Sequence, residues 1–169
     1  MAKFIKLASG ALTEEATGAT GGAGDANKVP NLDANGKLVL AMMPDGVGAD
    51  TIVLPAGEAL SANEMVNIYN DAGTIKCRLI DAGTNKYAAH GYVTATVDSG
   101  NDATVYLGGS LTGLTINATD VGKRAFASET PGAYTFTPVS GTGKMHQIVG
   151  IASSTTVLRF EPEEPITLA

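Results

Sequence analysis

The sequence predicts an all-β protein: a small β-barrel or β-sandwich of short antiparallel strands, built of two similar β units and preceded by an extended N-terminal arm. Three observations predict it. Short runs rich in β-branched and aromatic residues recur from residue 51 onward, Gly- and Asn/Asp-rich clusters separate them, and no amphipathic stretch of ten residues or more reads as a helix. Strands of that length and spacing belong to sandwiches and barrels. The domain division is therefore an arm or linker over 1–50 and a β-barrel body over 51–169.

The arm opens on an apolar alternation, Phe4, Ile5 and Leu7, and then runs through residues 13–28 without one large apolar side chain. Ordering those sixteen residues costs about 16 to 32 kcal/mol of backbone entropy, which alanine methyls do not offset. Such a segment is either a flexible tether or ordered by another surface. A turn at Asp33-Ala34-Asn35-Gly36 and a second at Pro44-Asp45-Gly46 then bracket a short apolar run. Its residues Leu38, Leu40, Met42 and Met43 do not alternate, so the run reads as buried on more than one side, against a partner.

In the body, strands are expected at 51–54, 65–69, 74–80, 88–97, 104–107, 124–127, 134–137, 146–152 and 156–160. Turn clusters at 70–73, 81–84, 98–102, 108–109 and 140–143 divide them. A faint internal repeat accompanies the pattern. Leu60-Ser61-Ala62-Asn63-Glu64 resembles Ile116-Asn117-Ala118-Thr119-Asp120, and Tyr92-Val93 leading to 104–107 resembles Ile148-Val149 leading to 156–160, at a spacing of roughly 56 residues. Two related β units closing one core is the structural meaning of such a repeat.

Composition narrows the function. With 169 residues, no Trp and 21 Gly, the chain is too short and too poor in large side chains for a dinucleotide fold with a substrate domain or an eight-fold α/β barrel. The net charge of −6, with 11 scattered Lys and Arg, leaves no footprint for phosphate backbones, so nucleic acid is not expected as a partner. No run approaches the length of a membrane span, and no apolar stretch after Lys3 and Lys6 makes a secretory signal. The single Cys77 lies between Ile75 and Leu79 in an alternating pattern and reads as a buried strand thiol.

The constellations of catalysis do not assemble. The two histidines, His90 and His146, lie in apolar strand patterns without a nucleophile elbow and take comparable places in the repeat, which argues for a structural role. One thiol and two distant imidazoles fall short of a zinc site. Gly141-Thr142-Gly143-Lys144-Met145 imitates the end of a phosphate loop, but Pro138 replaces its first glycine and Met145 its hydroxyl residue. The oxygen-rich loop 98–102 lacks the spacing of a calcium hand and reads as a hairpin turn. The acidic stretch 161–165 reads as a solvated terminus held extended by its prolines. No cofactor and no enzymatic activity are expected.

One resemblance enters at this point. Residues 24–38, with the turn Leu32-Asp33-Ala34-Asn35-Gly36-Lys37, followed by Pro44-Asp45-Gly46, are similar to a linker of structural proteins from tailed bacteriophages. From Pro55-Ala56-Gly57-Glu58 onward the chain resembles phage capsid decoration, or cement, proteins, with Gly-rich hairpins such as Ala89-His90-Gly91-Tyr92-Val93. The resemblance implies a small β body, assembly as a homotrimer on the outer surface of the head, the major capsid protein as partner, and no catalysis. It places the protein in the virion, after synthesis in the bacterial host cytoplasm. The long arm departs from that pattern. Its apolar residues Phe4, Ile5, Leu7, Leu38, Leu40, Met42 and Met43 are the expected partner contacts, through main-chain pairing of 3–7 with a strand of the shell. A head or tail fibre adaptor and a carbohydrate-binding β module are the alternatives, the latter weakened by the lack of Trp.

Overall fold

A computed structural model describes residues 3–8, 10–18, 28–32, 34, 36–38, 42 and 49–169. They belong to two compact units, Met1–Gly48 and Ala49–Ala169. Both are built from strands, and helical backbone among the described residues is confined to short 3-10 turns such as Ala118–Asp120.

In the first unit, β1 (Lys3–Ala8) and β2 (Ala11–Ala16) form an antiparallel hairpin in the register Lys3 opposite Ala16 through Ala8 opposite Ala11. Gly10 supplies the positive φ of +82° that the two-residue connection needs. Lys3 pairs with Glu14 at 2.7 Å and Lys6 with Glu15, each diagonally across the ladder. Gly18 then bridges Pro30 in parallel, with the Gly18 N–H donating to the Val29 carbonyl at 2.9 Å. The expected extended arm thus contains a hairpin. Counting apolar surface alone left 13–16 with no means of order, whereas ladder hydrogen bonds and two ion pairs draw that stretch onto β1. Exposed ion pairs contribute only about 0–1 kcal/mol each, and a lone two-stranded sheet is marginal in water.

The second unit carries two five-stranded antiparallel sheets. The first contains β3 (Thr51–Pro55), β4 (Met65–Asp71), β5 (Thr74–Leu79), β6 (Gly91–Tyr92) and β7 (Asp102–Tyr106), in the spatial order β3-β7-β6-β4-β5. The second contains β8 (Gly109–Thr112), β9 (Arg124–Ala127), β10 (Tyr134–Thr135), β12 (Ile148–Ala152) and β13 (Val157–Phe160), in the order β8-β13-β12-β9-β10. β11 (Met145–His146) and β14 (Ile166–Thr167) pair separately. Setting β11 aside, the two sheets have identical connectivity.

The registers match as well. Val66 of β4 stands opposite Gly91 of β6, as Ala125 of β9 stands opposite Gly150 of β12. A Cβ at Gly91 would lie 2.7 Å from the Tyr106 carbonyl oxygen, and one at Gly150 would meet the Arg159 carbonyl oxygen. In both sheets, then, a glycine lets the neighbouring strand approach at one equivalent point. The body is a structural duplication, but its register matches Gly91 to Gly150 and Tyr92 to Ile151, three residues away from the match of Tyr92 with Ile148 read from the sequence.

The halves differ in how they fill their interiors. The first sheet curls until its edges touch at one place, where Ala56 bridges Cys77 and the Gly57 N–H donates to the Cys77 carbonyl at 2.7 Å. The contact is a single bridge, so no barrel closes. Leu54 and Leu60 fill that curl together with the smaller Ala56, Val66, Cys77, Val93, Ala103 and Val105. The alternate side of the same strands carries Met65 and Tyr92 into a second cluster with Leu111, Ala125, Leu158 and Phe160 of the second sheet. Tyr92 meets Phe160 edge-on at 5.3 Å, and burial of each such ring stabilises the fold by about 2–3 kcal/mol. The first half therefore packs against the open interior of the second.

Several expected elements shift. The run 88–97 forms a ladder at Gly91–Tyr92 and a separate bridge from Val97 to Leu60, with Asn63 at φ +70° interrupting the partner strand between them. Gly109, read as a turn residue, opens β8. The acidic stretch 161–165 is tied down rather than free: the Glu161 and Glu163 N–H groups donate to the Val149 and Ile148 carbonyls at 3.1 and 2.9 Å.

Candidate functional site

Sequence reasoning placed the partner contacts on the N-terminal unit, and the structure positions five of the seven in part. Phe4 is half-buried opposite Glu15, while Ile5 is 69% exposed opposite Glu14. Leu7 stands opposite Leu12, which is 76% exposed. Leu38 is exposed and Met42 half-buried in a 3-10 turn, so neither is enclosed by its own unit. Leu40 and Met43 lie outside the described residues. Pairing of 3–7 with a strand is present, but with β2 of the same chain. Neither outer edge of the hairpin carries a third strand among the described residues.

The alternation that betrays the hairpin was in the sequence: Lys3 and Lys6 before Ser9-Gly10, Glu14 and Glu15 after it. Opposite charges on the two sides of a Ser-Gly pair, each two residues from the other's mirror position, signal diagonal cross-strand pairing. Leu12, absent from the expected contacts, is more exposed than Ile5.

A polar and aromatic cluster on β4 and β5 was not anticipated. The buried Asn67 accepts from Arg78 Nε at 3.1 Å through Oδ1 and donates from Nδ2 to the Ala88 carbonyl at 2.9 Å. The Arg78 guanidinium carbon lies 3.3 Å from the Tyr87 ring centre and 4.2 Å from that of Tyr69. His90 accepts the Ile68 N–H at Nδ1, at 3.0 Å, which leaves the proton of the neutral ring on Nε2. These residues come from two strands and a loop, so no local spacing announces them.

The two histidines do not hold equivalent positions, against the expectation from the repeat: His90 directly precedes Gly91, whereas Val149 precedes the equivalent Gly150, and His146 lies on β11, outside the duplicated strands. His90 contacts Asn67, and His146 packs on Phe126 at 5.0 Å between ring centres. Asn67 and Phe126 are register equivalents, each one residue beyond the strand position facing the conserved-geometry glycine. Cys77 is fully buried, its sulfur 3.8 Å from the Pro55 carbonyl, and burial pushes its thiol above the ordinary range.

No protein-family model, curated protein or solved structure matches the chain. Among the described residues, no group of three or more His, Cys, Asp or Glu side chains gathers as a metal site, and no helix is long and apolar enough to cross a membrane. The loop 98–102 folds back on the first sheet, its Gly100 N–H donating to the Ala56 carbonyl at 2.7 Å. On the outer side of the second sheet a shallow depression of ≈ 260 Å³ is lined by Arg124, Ile148, Ile151 and Pro162, with Glu161 and Glu163 at its rim.

Proposed function

We propose that this is a non-enzymatic structural protein of a bacteriophage virion, which decorates the outer surface of the head as a homotrimer and stabilises the shell. Its partner is the major capsid protein, and it is made in the host cytoplasm before assembly. The observation that carries this reading is the N-terminal hairpin. A two-stranded sheet with no third strand on either outer edge among the described residues, and with Ile5 and Leu12 exposed, gains the stability it lacks alone by adding to a strand of a neighbour. The duplicated body has its own core and supplies a rigid carrier. Joining three such hairpins in one particle makes the second and third contacts intramolecular, so a weak single contact suffices.

The test is removal of residues 2–12 together with a mass measurement in native solution. The intact protein is expected to have a threefold mass and to saturate undecorated heads. The shortened one is expected to keep that mass and its β-sheet spectrum but to leave heads bare. Saturation by the shortened protein removes the hairpin from the contact, and a monomer at micromolar concentration removes the multiplicity argument. Few labelled copies at one vertex or along the tail, in place of many over the head, make it an adaptor.

A further inference from the structure

The body's basic residues fall into two groups. Lys76, Lys123, Lys144 and Arg159 each pair with a carboxylate at 2.7 to 2.8 Å. Arg78, Lys86 and Arg124 do not, and of these Arg78 alone is half-buried. Its Nε is taken by Asn67, its faces by Tyr69 and Tyr87, and its two terminal nitrogens have no acceptor among the described residues. The Asn67 oxygen and the two ring faces hold the half-buried guanidinium in place, and they leave its two terminal nitrogens free to donate to a ligand. The hold is firm, because Asn67 is itself 6% exposed and anchored to Ala88.

The duplication shows that the architecture does not require this cluster. Where the first sheet sets Asn67 opposite Arg78, the second sets Phe126 opposite Thr135, and the fold is the same. The polar pair is therefore an addition to the first half. From its geometry we infer that Arg78 is a binding site for a carboxylate, seated end-on across the two terminal nitrogens. The planar guanidinium presents two parallel donors, which match a planar carboxylate, and the flanking rings fix the plane in which that fork lies. The protein's net charge of −6 opposes polyanions, so a single carboxylate, free or on an Asp or Glu side chain, fits better than a phosphate chain.

The experiment is a titration of the full-length protein with acetate, with the blocked tripeptide Gly-Asp-Gly, and with methyl phosphate, chloride holding the ionic strength constant. Chemical shifts are followed at the Arg78 Nε–H and the Tyr69 and Tyr87 rings. Saturable shifts there with acetate or the tripeptide, weakened about tenfold or more in Arg78→Lys, support the site, because lysine keeps the charge and loses the fork. Tighter binding of the tripeptide than of acetate assigns the carboxylate to a polypeptide, and equal binding assigns it to a free acid. Where Arg78→Lys does not fold, Tyr87→Leu keeps the guanidinium and removes one wall, and weaker binding is expected. Absence of saturable shifts at Arg78, unchanged affinity in Arg78→Lys, or methyl phosphate binding as tightly as acetate overturns the inference.

Discussion

The side-chain amide of Gln147 pairs with the main chain of Ala89 in both directions, accepting its N–H at 2.7 Å and donating to its carbonyl at 3.1 Å. Both residues are buried, and the same amide reaches the Glu163 carbonyl at 2.9 Å. One side chain thereby takes the place of a missing strand between the two halves and pins the acidic C-terminal stretch. Gln147→Leu is expected to destabilise the protein by about 1–3 kcal/mol, since it strands a buried donor and acceptor on Ala89. Chemical denaturation measures the change, and an unaltered midpoint would contradict the pairing.

Gly150 adopts φ +152° beside the bulge in β12, where a Cβ would enter the Arg159 carbonyl. Gly150→Ala is expected to cost about 3 kcal/mol or more, through strain and a backbone clash together. Gly100, at φ +87° with open space around it, isolates the conformational part, so Gly100→Ala is expected to cost about 1 kcal/mol. Comparable thermal midpoints for the two variants would show that the close approach is absent.

The β4–β5 connection is a two-residue turn in which Ala72 and Gly73 have φ of +50° and +95°, between the pair Asp71 and Thr74. Asn70 Oδ1 accepts the Gly73 N–H at 2.7 Å. Such a turn favours Asn or Gly at its first central position, where an alanine methyl is crowded. Ala72→Asn is expected to stabilise the body by about 0.5–1 kcal/mol, read as a raised denaturation midpoint.

Burial pushes the Cys77 thiol above its ordinary value of 9.0, and it pushes the phenols of Tyr92 and Tyr134 above 10.0. As pH rises, the unfolded chain gives up these protons first, so the native state binds more protons and stability falls with pH. The contribution is fully present below 9.0 and is lost as pH climbs through the folded values. Denaturation midpoints are expected to decline from that point upward. In Cys77→Ala the decline is expected to begin nearer 10.0, where the tyrosines titrate.

The body was largely legible because its turns carry their own chemistry. Asn70-Asp71-Ala72-Gly73 marks the β4–β5 hairpin, and the match of Tyr92-Val93 with Ile148-Val149 points to equivalent strands, though three residues out of the register in which Tyr92 corresponds to Ile151. β8 was hidden because its first residue is Gly109, and a glycine beside another glycine reads as a turn. The hairpin of the first unit was hidden because it depends on main-chain pairing and charge rather than on apolar surface. Arg78, Tyr69, Tyr87 and Asn67 converge only through folding, from β4, β5 and the following loop.

The single bridge between Ala56 and Cys77 gives the two halves different degrees of independence. The first wraps around its own cluster from Leu54 and Leu60 to Ala103 and Val105, while the second packs on Met65 and Tyr92. On a ribosome the half with its own inner cluster emerges first, and Met65, Ile80 and Tyr92 stay uncovered until β13 leaves the tunnel and packs on them. Synthesis in the opposite order would leave a half-made cup exposed, with Leu111, Leu158 and Phe160 facing water.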